Sequence, residues 1–239
     1  NLLTDYLGYT LFKTFGPLVR MLPLGFAFFL GRRTGDLFYF LDSKHRALAY
    51  ANIKAALGAE LSCRQIKNTT RRFYQSYGQN FIEILLMPLI DKKYINTHIE
   101  AEGIEHAETA FRRGHGLIFL SMHTGSWELS NLISEYMGFP FLLFVQNQRY
   151  PRLNSLLNSY RLQRGCKIVE GEGGVRQLIK ALKSNSAIGM TADQGGRDGA
   201  LVKFFGRSAS MSSGAIRFAI KYGAAIVPVY YTRKYGSKV

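Results

Sequence analysis

The stretch Gly116 to Glu128, Gly-Leu-Ile-Phe-Leu-Ser-Met-His-Thr-Gly-Ser-Trp-Glu, sets a histidine and a carboxylate five residues apart. Histidine is the side chain suited to taking and returning a proton near neutral pH. A carboxylate that accepts its Nδ1 proton fixes the tautomer and leaves Nε2 as a general base. It also stabilises the imidazolium that forms when the base takes a proton. Residues five apart do not face each other on one continuous helix. Gly125 permits a turn between them, through which Glu128 could fold back onto His123. A plainer account fits the same residues: a Glu in a first helical turn placed for the helix dipole, and a His satisfied in a turn. Spacing alone leaves both open.

The elements around the pair favour chemistry. Leu117–Leu120 reads as a buried strand, and His123 falls just past its carboxyl end. Gly125-Ser126 then opens a helix over 126–137, with Leu129, Leu132, Ile133, Tyr136 and Met137 on one face. Ligands of open α/β sheets bind beyond the carboxyl ends of the strands. Further strands are expected at Phe141–Val145, Ile188–Met190 and Ala225–Tyr231, and helices near 104–113, 152–164, 174–184 and 212–222. Strands apolar on both faces, separated by helices, give an α/β fold with a mainly parallel central sheet flanked by helices. Residues 1–90 read instead as helices, among them one opened by Leu61-Ser62 and closed by Pro88. The expected organisation is an N-terminal helical, membrane-facing segment over 1–95 and an α/β domain over 96–239. The chain starts at Asn1 and stops in strand-like sequence, so both ends read as cut.

Length, composition and charge narrow the classes. The chain has 239 residues, 47% of them apolar, which excludes disordered and low-complexity sequence. Cys63 and Cys166 are too few for a disulfide scaffold or a cysteine-rich metal site, and a reducing compartment is expected. The formal net charge is +15, spread over the chain rather than gathered in a tail. It calls for an acidic partner: anionic lipid, nucleic acid or an acidic protein. No zinc finger, RNA-recognition signature or basic heptad region supports nucleic acid. Residues 149–183 hold eight Lys and Arg, a candidate surface for anionic lipid or an acidic carrier protein, or else solvated helix faces. The apolar run Leu22–Leu30, closed by Arg20 on one side and Arg32 and Arg33 on the other, is far short of the roughly 20 residues that span a bilayer. It reads as a core helix or an interfacial one. Asp193-Gln194, after the third strand, either shapes the site or holds its own loop by side-chain hydrogen bonds. The remaining histidines show no metal-ligand spacing, and no metal is expected.

His123-Thr-Gly-Ser-Trp-Glu128 resembles the His-x4-Asp/Glu motif of the lysophospholipid acyltransferase superfamily. Asn147-Gln-Arg-Tyr-Pro151 resembles the Asn-Arg-Pro-like segment of the bacterial lipid A biosynthesis (late) acyltransferases. Asp193-Gln194, Val202-Lys-Phe-Phe-Gly206, Ser213-Gly214 and Ala224–Val229 are similar to their downstream block in the same order, and Arg46 and Asn52 fit their N-terminal helices. Gln148 and Tyr150 are departures within the second segment.

The resemblance implies transfer of a fatty acyl group from a thioester to a lipid-borne sugar hydroxyl, at the cytoplasmic face of a bacterial inner membrane. His123 would deprotonate the hydroxyl and Glu128 would orient it. The resemblance suggests Arg149 as a substrate-binding residue, suited to phosphate by its bidentate geometry. Gly125, Ser126, Asp193 and Gln194 are further candidate substrate-contacting residues. The implied partners are an acyl carrier protein or CoA thioester, anionic membrane lipid and a glycolipid acceptor; no cofactor beyond the acyl-ACP or acyl-CoA co-substrate is implied. The leading acceptor is a lipid A precursor with an acyl carrier protein donor. The alternative is another glycolipid, such as a phosphatidylinositol mannoside, with acyl-CoA. A rival of a different class is a non-catalytic membrane- or nucleic-acid-binding module. An acyltransferase needs an apolar channel ending at His123; a module does not.

Overall fold

A computed structural model describes residues 2–132, 138–146, 149–163, 166–195 and 199–234. Four helices come first: α1 (Leu2–Arg20), α2 (Leu24–Leu41), α3 (Ser43–Leu57) and α4 (Cys63–Leu86). Ser62 begins α4 with a capping box, its hydroxyl accepting from the Gln65 backbone while the Gln65 side chain accepts from the Ser62 backbone. Pro88 lies in a single 3₁₀ turn that ends the helix. Helix α3 is not a core helix: none of its residues is buried.

Helices α2 and α4 cross closely because glycine lets them. A Cβ on Gly35 would lie 2.2 Å from the Tyr74 carbonyl oxygen, and one on Gly78 would lie 2.2 Å from that of Gly31. Beside this crossing Asp36 is buried and accepts from Arg71 Nε at 2.7 Å and Gln75 Nε2 at 2.8 Å. Burial works to raise the Asp36 pKa. The hydrogen bonds from Arg71 and Gln75, with the charges of Arg71 and Arg33, outweigh it and hold the carboxyl below its ordinary value.

Two short helices, α5 (Lys92–His98) and α6 (Ile104–Phe111), lead to β1 (Leu117–Ser121). Then follow β2 (Phe141–Val145), α7 (Pro151–Leu162), β3 (Lys167–Glu170), α8 (Gly171–Lys183), β4 (Ala187–Thr191), β5 (Ala200–Phe204), β6 (Arg207–Met211), α9 (Gly214–Tyr222) and β7 (Ala225–Val229). Among the described residues, five strands form one parallel sheet in the order β3-β2-β4-β1-β7. The fold class is therefore the α/β one expected: a parallel central sheet flanked by helices, with an N-terminal helical segment.

Alternate residues of the strands feed two cores. Leu117, Phe119, Phe141, Leu143 and Ala187 pack against Ala107 and Ala110 of α6. Ile118, Val169 and Ile188 pack on the other side against Leu178 and Leu182 of α8 and Ala215 of α9. This two-sided burial is why the strands lack a polar face.

Three details are not foreseen in the sequence. Strand β4 is inserted between β1 and β2. Residues 127–132 form a 3₁₀ turn rather than the start of an α-helix, and 133–137 fall outside the described residues. Strand β3 and the β5–β6 hairpin were not expected. β3 has only four residues with charged ends, β6 (Arg-Ser-Ala-Ser-Met) is largely polar, and β5, apolar apart from Lys203, is exposed rather than part of a core.

The N-terminal helices are fastened to the sheet domain at α7. Buried Asp5 accepts from the Arg152 and Leu153 backbone N–H groups at 3.1–3.2 Å, using the free donors at that helix start. Arg20 donates to the Leu85 carbonyl at 2.8 Å and to the Tyr160 hydroxyl at 2.9 Å.

Candidate active site

Strands β1 and β4 are parallel and paired in register, Leu117 with Ala187 through Ser121 with Thr191. The offset is 70 residues, and the Ala192 N–H still donates to the Ser121 carbonyl one step past the strand ends. Carried two residues beyond Ser121 and Thr191, the same offset sets His123 beside Asp193. Their contact follows: Asp193 Oδ1 lies 2.8 Å from His123 Nδ1, and its Oδ2 accepts from the His123 backbone N–H at 2.8 Å. One carboxylate thus fixes both the ring and the backbone of the residue. With Nδ1 committed to Asp193, the basic atom of the neutral ring is Nε2. Trp127 sets its ring edge-to-face against the imidazole, with centroids 5.4 Å apart. Both side chains of the pair are about one-third exposed, so reactants can reach them.

Glu128 is not the partner of His123. Its two carboxylate oxygens accept from Arg161 Nη2 at 2.7 Å and Nε at 2.9 Å, a bidentate pair. The Arg161 side chain is 6% exposed and also donates to Asn158 Oδ1 at 2.9 Å. The carboxylate five residues after the histidine therefore anchors the 3₁₀ turn to α7. The sequence sets Glu128 against His123 and Asp193 among the substrate contacts; the carboxylate that meets the imidazole is instead Asp193, from the end of the neighbouring strand.

The turn itself is held from a third direction. Gly125 has φ +50°, and a Cβ there would lie 2.2 Å from the Tyr231 carbonyl oxygen, so only glycine fits. Ser126 donates to Glu83 of α4 and accepts from Arg233 at 3.3 Å. Arg233 Nη2 in turn donates to Glu83 Oε2 at 2.6 Å and Asn80 Oδ1 at 2.7 Å, and Nη1 to Ser76 and Gln79 at 3.2 and 3.3 Å. Beside this cluster, burial pushes the Tyr94 phenol up to about 12, with the Glu83 charge adding and Arg233 opposing. Burial alone also raises the Tyr231 phenol, whose oxygen, like Thr124 Oγ1, has no hydrogen-bond partner among the described residues.

Glu83 and Arg233 carry no signal in the sequence, and Arg161 stands there only as one member of the basic run over 149–183. They lie 43, 107 and 33 positions from the turn residues they bind, and no local pattern marks them.

The remaining candidates are placed less centrally. Arg149 is exposed past the end of β2, two strands away from β1, and Gln194 is exposed next to Asp193. Asn147 and Gln148 lie outside the described residues. The basic run over 149–183 is not one surface. Arg161 is buried against Glu128, Arg152 reaches Asp5, Arg164 lies outside the described residues, and Arg176, Lys180 and Lys183 are exposed on α8. A small cavity beside the turn is lined by Asn80, Glu83, Ser126, Trp127, Glu128 and Leu129. No group of three or more His, Cys, Asp or Glu among the described residues could hold a metal ion.

The chain is similar to known proteins. Phosphatidylinositol mannoside acyltransferases are 27% identical in Mycolicibacterium smegmatis and 24% in Mycobacterium tuberculosis H37Rv, over 65% of this chain and 53% and 52% of theirs. A lipid A biosynthesis acyltransferase of Haemophilus influenzae is 23% identical over 58% of this chain and 44% of its own. The chain thus spans about half the length of the curated relatives it matches. Residues 2–239 match the description of the bacterial lipid A biosynthesis acyltransferases, and the chain belongs to that family.

Proposed function

We propose that the chain carries the acyl-transfer centre of a glycolipid acyltransferase, with His123 as general base and Asp193 as its orienting acid. The observation that carries the reading is the His123–Asp193 pair at the carboxyl edge of the parallel sheet. His123 Nε2 takes the proton of a sugar hydroxyl as its oxygen attacks the thioester carbonyl. The tetrahedral oxyanion collapses and expels the thiolate, which the imidazolium reprotonates. Ester and free thiol are the products, and atoms and charge balance. Glu128 and Arg161 keep the turn in place, and Arg149 is the residue we assign to an acceptor phosphate.

The acceptor we assign is a lipid A precursor, after the family, with an acyl carrier protein thioester as donor. The names of the mycobacterial relatives favour a second acceptor, a phosphatidylinositol mannoside, which we pair with acyl-CoA as donor.

Both acceptors sit in a bilayer, and we propose that α1 and α2 lie against it, at the cytoplasmic face of a bacterial inner membrane. Helix α1 buries Phe12 and Val19 yet exposes Leu3, Leu7, Leu11 and Phe15 at four-residue spacing, and α2 exposes Phe26 and Phe29 next to Arg32 and Arg33. A helix apolar on both sides with basic neighbours suits a membrane interface. Among the described residues, no helix is long and apolar enough to cross a membrane.

The test is a four-way incubation of radiolabelled acyl carrier protein or CoA thioester with a lipid A precursor or a phosphatidylinositol mannoside. Label should enter one glycolipid, and His123→Ala, with an unchanged circular dichroism spectrum, should abolish it. No labelled glycolipid in any arm, or full labelling by His123→Ala, would overturn the reading.

A further inference from the structure

After Asp193 in the chain comes a hairpin that, among the described residues, joins no other sheet. Among the described residues, strands β5 and β6 pair only with each other, from Ala200 with Met211 to Phe204 with Arg207. All five residues of β5 are exposed; Leu201 is 79% and Phe204 54% exposed. Side chains alternate along a strand, so Val202 and Phe204 occupy one face and Leu201 the other. Apolar groups therefore stand on both faces of an isolated two-stranded ribbon, which in water is marginal by itself.

The turn at its tip is stranger still. Phe205 and Gly206 join the strands with φ of +48° and +72°. Two-residue turns with both centres at positive φ normally take Asn-Gly or Asp-Gly. A bulky aromatic residue in that conformation is strained, and here it is 54% exposed, so packing returns nothing for the strain. Phe204 meets it edge-to-face at 4.7 Å. The ribbon is nonetheless fixed at its base. A Cβ on Gly195 would lie 2.2 Å from the Ser210 carbonyl oxygen, and one on Gly199 2.3 Å from Ser210 Oγ.

We propose that this hairpin is a membrane-dipping finger, whose Phe204-Phe205 tip enters the acyl region of an anionic bilayer while Lys203 and Arg207 meet the headgroup phosphates. The proposal rests on the reading above that the chain acts at a membrane. Three observations choose a bilayer over a protein groove. Apolar groups on both faces and at the tip suit a medium that surrounds the ribbon, whereas a groove covers one face. Aromatic residues flanked by bases are the composition of interfacial segments. From Gly199 to Lys234 the chain has no Asp or Glu, so no acid within this stretch repels an anionic surface. Because the ribbon base is locked to the Asp193 loop, docking the tip would hold the His123–Asp193 pair close to the lipid surface.

The experiment uses vesicles of phosphatidylcholine and phosphatidylglycerol, with and without brominated acyl chains. Trp127 is the only tryptophan, so Phe204→Trp adds one reporter at the tip. Bromine should quench the Phe204→Trp protein well beyond the parent. Phe205→Asn suits the left-handed turn, and its melting temperature should match or exceed the parent's. It should nevertheless need about ten-fold more lipid for half-binding, the loss expected for one buried phenyl group. Parent and Phe204→Trp protein sedimenting with vesicles while the introduced indole stays unquenched would overturn the finger and leave the membrane reading standing. Parent protein that does not sediment at all would overturn both. Unchanged lipid binding by Phe205→Asn with a raised KM for the thioester would assign the tip to the donor and overturn the proposal.

Discussion

Glu128→Gln removes one charge from a buried ion pair and leaves the other behind. Arg161 would keep a guanidinium in a site where its side chain is 6% exposed, facing a neutral amide in place of a bidentate carboxylate. Breaking a buried pair from one side costs about 3–5 kcal/mol. Glu128 is 20% exposed and Gln retains one acceptor, so the lower end applies, about 3 kcal/mol. For a chain of this length, each kcal/mol moves the midpoint by about 2–4 °C, giving a drop of about 6–12 °C. Thermal circular dichroism measures it. Arg161→Met should fall comparably, since it strands the Glu128 carboxylate. The double variant Glu128→Leu/Arg161→Met should recover much of the loss, because neither charge is then buried alone. A Glu128→Gln protein melting within a degree of the parent would refute the claim that this acid is spent on Arg161. So would a double variant as unstable as the sum of the singles.

Two further outcomes follow from named contacts. Arg233→Gln should destabilise by about 3 kcal/mol, by stranding Glu83 beside Ser126, and Arg233→Lys should restore only part, because it keeps the charge without the planar fork; equal melting of Arg233→Gln and parent would remove the cluster from the account. Asp36 has a lowered folded-state pKa, so its stabilisation is present above the unfolded carboxylate range and lost as pH falls through the folded value. The melting-temperature gap between parent and Asp36→Asn should therefore narrow from pH 7 to pH 3, and a gap that widens would reverse the sign of the argument.

What the sequence revealed and hid follows from the range of the interactions. Strands such as Leu117–Leu120 were legible because both faces are buried and the apolar run is unbroken. The position of His123 at a strand end followed from that alone. Its partner did not, because the 70-residue offset between β1 and β4 is set by which strands pair, and β4 inserts between β1 and β2 without a local signal. The local acid, Glu128, had the chemistry expected of the partner and is claimed by Arg161 from α7. The helical segment was legible from Ser62 and Pro88; its glycine crossing was not, since Gly31, Gly35 and Gly78 acquire meaning only when α2 and α4 touch. The hairpin was invisible because its apolar residues face outward and its turn lacks Asn-Gly.

The central claim is that Asp193, not Glu128, holds the His123 ring so that Nε2 is basic. Long-range proton–nitrogen NMR on protein labelled with ¹⁵N-histidine, with His123 assigned through His123→Gln, reads the tautomer directly at a pH where the imidazoles are neutral. The account predicts the Nδ1–H tautomer for His123, kept in Glu128→Gln and lost or mixed in Asp193→Ala. An Nε2–H tautomer in the parent, or a tautomer that responds to Glu128→Gln and not to Asp193→Ala, would contradict it.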